Sequence, residues 1–355
     1  MNKQLKKIFL QYFDVFRYRT RMNIKRNPHR FLPKKEIFDN SPVTIGIIKE
    51  AWHLHYHYIT ACRDLKISYV LIDIFKSDWL EQILHSNVDV LFFRPSVQYS
   101  PWKDMFDNRI RLLSNDNRFK LFPNPESLWI WENKLRTMDW LRINHLKAPK
   151  TWIFYDESEA KQFANETNFP IVYKMSAGSG SSGVKILNRK HELLKQINIC
   201  FNKGEKTYRS HRLDKEFGFI ILQEFFEDVK EWRIIRMGNY YFGYEKIRVD
   251  KFHSGSGEFG YGMPPEPLLD YVKKITENFG FLYVDIDIFI TPDFEFYVNE
   301  IQPYFGQKDD RELLRINGVS GRLSYDNSIW VFEPGEYCKN NFSNLRITEF
   351  LKSVN

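Results

Sequence analysis

Two acidic stretches late in the chain carry residue types that hold a hard cation. In Tyr283–Ile290, Asp285 and Asp287 alternate with Val284, Ile286 and Ile288, and in Phe296–Gln302, Glu300 and Gln302 recur at the same interval. Side chains of an extended chain alternate between two faces. Asp285 and Asp287 are therefore expected on one face, and Phe296 and Val298 on the face of Glu300 and Gln302. Thr291-Pro292-Asp293 reads as a turn, and pairing across it brings Asp287 beside Glu300. Mg2+ takes oxygen ligands, usually one or two carboxylates completed by phosphates. Asp287, Glu300 and Gln302 offer such a set. Standing alone, the hairpin reads equally well as a solvated acidic edge.

A second group has the chemistry of phosphate binding. A strand ending in Lys174 runs into Met175-Ser-Ala-Gly-Ser-Gly-Ser-Ser-Gly183, and a second strand, Val184 to Leu187, leaves it. Ser179, Gly180, Ser181, Ser182 and Gly183 let backbone N–H groups approach phosphate oxygens, and Lys174 adds a point charge. The glycine spacing matches a dinucleotide fingerprint by letters, but a strand rather than a helix follows. Val184 and Lys185 stand where a Walker loop needs Lys and Ser/Thr, and no Asp-Phe-Gly occurs for a protein kinase. The remaining alternative is a flexible hairpin. Lys134 lies within a helix expected from Pro125 to Leu146, capped by Ser127 and ended before Pro149.

Cations and hydrogen-bonding groups follow downstream. Gln223, Glu224, Phe225 and Phe226 are expected to make a short crossing between subdomains. On the next strand Glu231 and Arg233 alternate outward while Trp232 and Ile234 point inward. Lys246 and Arg248 are expected on one strand face, and His253 sits in the Gly/Ser-rich loop 252–258. Upstream, His53, His55 and His57 follow the first strand of an α/β segment, where open sheets bind ligands. Their i, i+2, i+4 spacing splits them between helix faces, favouring substrate contact over a three-histidine metal site.

The elements that must position these groups follow from pattern and composition. The chain has 355 residues, 43% hydrophobic and 17% aromatic, with a formal charge of +7; this is globular and large enough for two or three domains. Cys62, Cys200 and Cys338 show no metal spacing and suit a reducing cytosol. No run of about 18 apolar residues predicts a membrane span, and the start is too charged for a secretory signal. Residues 1–36 hold eleven Lys/Arg against Asp14 and Glu36. They read as a basic amphipathic helix and arm, lying on an anionic membrane surface or docked on the protein's own body. No recognition motif supports nucleic-acid binding. Strands at Thr44–Ile48, Tyr69–Asp73, Val88–Phe93 and Lys120–Phe122, separated by helical segments, predict a parallel sheet. The divisions are 1–40 (arm), 41–124 (α/β domain), 125–222 (central subdomain with the Gly/Ser loop) and 223–355 (acidic subdomain). The last ends in a helix near Leu345 to Val354 that packs on the body.

Taken together, these residues and their order resemble the ATP-grasp superfamily over roughly 125–305. The carboxylate–amine ligases related to D-alanine–D-alanine ligase and glutathione synthetase are the nearest in pattern. The resemblance implies an α/β (α+β) fold, with an N-terminal parallel domain followed by two α+β subdomains enclosing ATP. It implies that Lys134 and Lys174 contact phosphates and that residues 176–183 close over them. Gln223, Glu224, Phe225 and Phe226 would hold adenine and Glu231 the ribose, while Asp287 and Glu300 would bind two Mg2+ ions. Gln302 replaces the usual asparagine, and Asp285 stands where some ligases carry arginine. The implied reaction joins a carboxylate to an amine through an acylphosphate. Arg233, Lys246 or Arg248 would stabilise the oxyanion, with His253 as candidate base. From the basic arm the acid is expected to belong to a surface glycan or its precursor, and the enzyme to be cytoplasmic, with peripheral contact at the inner membrane face. A kinase of the same fold and a non-catalytic ATP-binding protein are the competing readings.

Overall fold

A computed structural model of the chain describes residues 31–178, 182–207, 213–248, 258–305 and 312–354. The first domain is built on the apolar runs expected to pair in parallel. Strand β1 (Lys35–Glu36) precedes β2 (Thr44–Ile48), α1 (Tyr56–Leu65), β3 (Ser68–Ile72), α2 (Trp79–Leu84), β4 (Val90–Phe92), α3 (Ser100–Ser114) and β5 (Lys120–Phe122). The sheet order is β1-β3-β2-β4-β5, parallel except for β1.

The single helix expected from 125 to 146 is two. Helix α4 (Pro125–Ile130) is capped by Asn124, whose Oδ1 accepts from the Glu126 and Ser127 N–H groups. Ser127 is not the cap, because its hydroxyl donates back to the Asn124 carbonyl. The chain then leaves the helical region: Trp131 is extended and Glu132 has φ 55°. Asn133 restarts it as the cap of α5 (Lys134–Ile143), accepting from Arg136 N at 3.1 Å. An N-cap of this kind is worth about 1 kcal/mol. The break puts Lys134 in a first helical turn rather than along a solvated helix face.

A four-stranded antiparallel sheet follows. It comprises β6 (Thr151–Phe154), β7 (Ile171–Lys174), β8 (Val184–Leu187) and β11 (Ile220–Glu224), in the order β6-β11-β7-β8. Helices α6 (Glu157–Glu166) and α7 (Lys190–Asn198) accompany it, and a two-stranded ribbon, β9 (Glu205–Lys206) with β10 (Lys215–Glu216), stands beside it. This unit has its own core, which includes Phe154, Tyr173, Leu193 and Leu222.

The large antiparallel sheet contains β12 (Lys230–Met237), β13 (Tyr240–Lys246), β14 (Phe259–Gly260), β15 (Tyr283–Ile290), β16 (Phe296–Gln302), β17 (Arg315–Ile316), β18 (Val319–Asp326) and β19 (Ile329–Pro334). Its main path runs β16-β15-β12-β13-β18-β17, with β14 on β13 and β19 on β18. Helix α8 (Glu266–Asn278) covers one face through Leu268, Leu269, Val272 and Ile275. The last helix, α9 (Ser343–Val354), does pack on the body. Its Phe350 ring meets Phe92 and Phe122 of the first domain, and Tyr283 of β15 also meets Phe122.

Candidate active site

The acidic hairpin forms in the expected register, with Asp287 opposite Glu300 and Asp285 opposite Gln302. Between Asp287 and Ile288 the register slips, and Ile288 faces Val298. Asn299 is the additional residue of a β-bulge, which breaks the two-residue alternation. This corrects one expectation: Phe296 and Val298 do not share the face of Glu300 and Gln302. Val298 is fully buried with Ile288 in the core, and Phe296 packs against that core. The bulge also brings in a residue the alternation had not assigned to the site. Asn299 Oδ1 accepts from Lys174 Nζ at 2.9 Å, and its Nδ2 lies 3.4 Å from Glu231 Oε1. The available signal was a polar residue at a core-parity position beside an acid.

Strands β12 and β13 lay cations against these acids. Trp232 and Ile234 enter the core as expected, which turns Glu231 and Arg233 to the other face. In register opposite Asp287, Arg233 donates from Nε to Oδ1 at 2.7 Å and from Nη2 to Oδ2 at 2.8 Å; its Nε is also 2.9 Å from Asp285 Oδ2. Lys246 Nζ donates to Glu231 Oε1 at 2.8 Å and to Asp287 Oδ2. Gln302 Nε2 donates to Asp285 Oδ2 at 3.0 Å, leaving Asp285 Oδ1 buried with no hydrogen-bond partner. Arg233 and Lys246 are thus counter-ions in the site's floor.

Burial and charge act in opposition here. Burial pushes the Asp285 carboxyl up more than Arg233 pulls it down, so its pKa is raised. At Asp287 burial is outweighed by Arg233 and Lys246, which hold it below the usual carboxylate range. Lys246 is depressed by burial and by Arg233, but Asp287 and Glu231 leave it raised.

The two phosphate-binding candidates arrive from the other side. Lys174, the last residue of β7, is buried; burial and the nearby Lys134 depress its amine to about 8 despite Glu300 and Glu231. Lys134 Nζ lies 3.9 Å from Glu300 Oε1 and donates to the Gly178 carbonyl at 2.8 Å, while its backbone N–H donates to Ser176 O. The loop is pinned at both ends. Glu216, unanticipated from sequence because it comes from the β10 ribbon, accepts from Ser176 N at 2.7 Å and Ala177 N at 2.8 Å. The carbonyl of Gly183 (φ 82°) accepts from Met175 N at 2.9 Å. A Cβ at Gly183 would meet Met175 at 2.9 Å, so glycine is required there. Ser182 belongs to the same turn. Ser179, Gly180 and Ser181 lie outside the described residues, as do His253 and nearly all of the basic arm.

Other candidates are placed differently from expectation. Gln223 and Glu224 end strand β11 rather than crossing freely. The Gln223 amide is buried and donates to Thr151 Oγ1 at 2.9 Å. Glu224 accepts from Lys150 N. Phe225 is half-buried beyond it, and the Phe226 ring rests on Tyr297 at 4.9 Å. Glu231 is buried beneath Lys246 and Asn299. Lys246 and Arg248 do not share a strand face: β13 ends at Lys246, and Arg248 is exposed with its guanidinium on the Glu227 carbonyl. Of the three histidines, His55 packs against Glu50 while His57 faces a separate cavity.

The geometry can be set beside known proteins. No family model matches the chain. The small subunit of 2-oxoglutarate carboxylase from Hydrogenobacter thermophilus is 28% identical over 89 residues, which span 25% of this chain and only 17% of that subunit. Its biotin carboxylase domain, solved with MgADP, ADP and bicarbonate, aligns at TM-score 0.52 and 15% identity over 75% of this chain and 64% of that one. The alpha-aminoadipate–LysW ligase LysX of Sulfurisphaera tokodaii is 22% identical over 208 residues, 57% of this chain and 68% of LysX. The ADP complex of PurK, N5-carboxyaminoimidazole ribonucleotide synthetase, aligns at TM-score 0.55 and 16% identity over 78% of this chain and 74% of that one. The mixed, mainly parallel first sheet and the antiparallel sheets that follow match these structures: the chain has the ATP-grasp fold.

Proposed function

We propose that the protein is an ADP-forming carboxylate–amine ligase that uses ATP. The observation that carries this reading is convergence across the cleft. Lys134 and Lys174, from the break before α5 and the end of β7, reach Glu300 and Asn299 beside Asp287. Two cations facing an oxygen-rich floor suit a triphosphate, and the chain's relatives include the alpha-aminoadipate–LysW ligase LysX.

The donor set fits Mg2+. Asp287 and Glu300 are in register, and two carboxylates with phosphates satisfy that ion. Both Asp287 oxygens are meanwhile held by Arg233 and Lys246, so cationic charge already sits at this position. When bound, Mg2+ would neutralise phosphate charge at Asp287 and Glu300. The Gln302 amide is committed through its nitrogen to Asp285.

Lys174 and Lys134 offset the charge on the transferring phosphoryl group. The γ-phosphoryl passes to a carboxylate oxygen, giving an acylphosphate and ADP. The amine then displaces phosphate and loses a proton, leaving an amide. Glu216 and Lys134 hold Ser176, Ala177 and Gly178, where the Gly/Ser stretch begins; closure of that stretch would keep water from the acylphosphate. Lys246 and Arg233 act on the acid floor rather than as free oxyanion donors. A cytoplasmic setting, with peripheral membrane contact through the basic residues 1–36, belongs to this proposal. Among the described residues no helix is long and apolar enough to cross a membrane.

The test is ADP release with Mg2+ over pairs of carboxylates and amines, uronic acids included for the acidic-glycan acceptor. Release that needs both members, with an amide as product, supports the proposal. Release with a hydroxyl acceptor and a phosphorylated product would make the protein a kinase instead.

A further inference from the structure

At the carboxyl end of the first domain's sheet a small, narrow cavity is lined by His57, Arg94, Tyr304, Phe305, Ser343 and Arg346 among others. Two guanidinium groups flank one ring: the Arg94 and Arg346 Cζ atoms lie 4.9 and 4.8 Å from the Tyr304 centroid. Tyr304 is fixed by its hydroxyl, which donates to the Phe93 carbonyl and meets the Tyr58 hydroxyl. Arg346 is only 5% exposed. Its Nη2 donates to Pro303 O at 3.1 Å, but its Nη1 is buried with no hydrogen-bond partner.

Among the described residues neither arginine has a carboxylate within 4 Å. The nearby acid Glu50 is committed to the Trp52 and Leu54 N–H groups and to His55. A buried guanidinium ordinarily has a partner, because leaving its donors unsatisfied is costly. Every other deeply buried cation described, Lys103, Lys174, Arg233, Arg236 and Lys246, donates to a side-chain oxygen. The cavity shares a wall with the acid floor, since Arg233 Cζ lies 5.7 Å from the Phe305 centroid.

We infer that Arg94 and Arg346 form an oxyanion-binding subsite, and that it holds a carboxylate or phosphate of the substrate remote from the reacting group. The narrow space admits the end of a molecule rather than a ring, and guanidinium groups match planar carboxylates and tetrahedral phosphates alike. Assignment of this anion to the substrate rests on the ligase reading; the binding itself does not.

The experiment is calorimetric titration of the full-length protein with inorganic phosphate, sulfate and succinate at constant ionic strength. Wild-type protein is expected to bind one oxyanion that Lys174→Met retains and that Arg94→Gln weakens at least tenfold, with ADP affinity unchanged in Arg94→Gln. Preference for succinate or for phosphate identifies the substrate group. Arg346→Gln is expected to match Arg94→Gln; should it fail to fold, the half-buried Arg94 carries the test. No oxyanion bound, or one lost in Lys174→Met and kept in Arg94→Gln, overturns the subsite. In the ligase assay, Arg94→Gln is expected to raise KM for the acid or the amine at least tenfold and leave KM for ATP unmoved. Unchanged KM values for both substrates overturn its assignment to substrate. Failure of the ligase reading is seen separately, as ADP release that never depends on two co-substrates.

Discussion

Two buried lysines face the same cleft and live in opposite electrostatic conditions. Lys246, from the large sheet, donates to Glu231 and Asp287, and its pKa is raised. Lys174, from the small sheet, donates to an uncharged amide, Asn299, and burial together with Lys134 depresses it to about 8. Burial penalises the charged form of both; what differs is the company. The first lysine is paid for by acids of its own chain, whereas the second becomes fully favourable only when negative charge enters from outside. Unequal compensation of this kind separates a structural counter-ion from a binding group.

The largest expected effect tests the first half of the contrast. Asp287→Ala or Lys246→Met leaves charged partners uncompensated in a buried network, which typically costs about 3–5 kcal/mol. Urea denaturation will read this as a lower midpoint with an unchanged slope. A loss under 1 kcal/mol in both variants would dissolve the distinction. Lys174→Met addresses the second half. Stability is expected to stay within about 1 kcal/mol of wild type, because a poorly compensated charge is removed. ATP affinity is expected to fall about 10- to 100-fold, corresponding to the ~1.5–3 kcal/mol of a charge-assisted hydrogen bond. Equilibrium titration with a fluorescent ATP analogue measures it.

Proton linkage sharpens the same point. With its amine near 8, Lys174 is partly neutral above that pH, and bound phosphates favour the charged form. Nucleotide binding is therefore expected to take up protons at pH 8–9 and none near pH 6. Calorimetry in buffers of different ionisation enthalpy detects the uptake. For folding the sign is separate: the unfolded lysine, at the ordinary 10.5, holds its proton longer than the folded one. This group's contribution makes stability rise with pH between about 8 and 10.5. The smallest effect is at Asn299. Its replacement by Ala removes the Lys174 hydrogen bond and is expected to cost about 1 kcal/mol of stability, with the amine of Lys174 moving further down.

Much of this arrangement could be read from residue order. Thr44–Ile48 is a continuous apolar run and forms β2 with those bounds. The two acidic strands pair as a hairpin, as their alternation implies, but it is the bulge that sets Asp287 opposite Glu300, since the register of Ile288 with Val298 would otherwise place Asn299 there. Alternation failed at Asn299, since a bulge changes parity without any glycine or proline to announce it. The break between α4 and α5 was hidden because Trp129, Trp131, Leu135 and Met138 keep a helical spacing across it; only the Asn133 cap marks the restart. Glu216 was invisible for a different reason. It reaches the Ser176 and Ala177 N–H groups across 40 and 39 residues of chain, through a ribbon two residues wide. Long-range pairings of that sort have no local signature.

The terminal helix has a mechanical consequence. Ile347 and Phe350 sit among Ile45, Phe92 and Phe122, and Tyr283 and Tyr304 of the large-sheet region join the same cluster. The first domain and the acid-bearing sheet are thereby bolted into a single frame, while the unit around Phe154 and Leu222 keeps a core to itself. The chain passes into and out of that smaller unit beside Lys150 and Glu224, whose carboxylate accepts from the Lys150 N–H. In the proposed ligase, a triphosphate bridging Lys174 and the acid floor would tie that separate unit to the fixed frame.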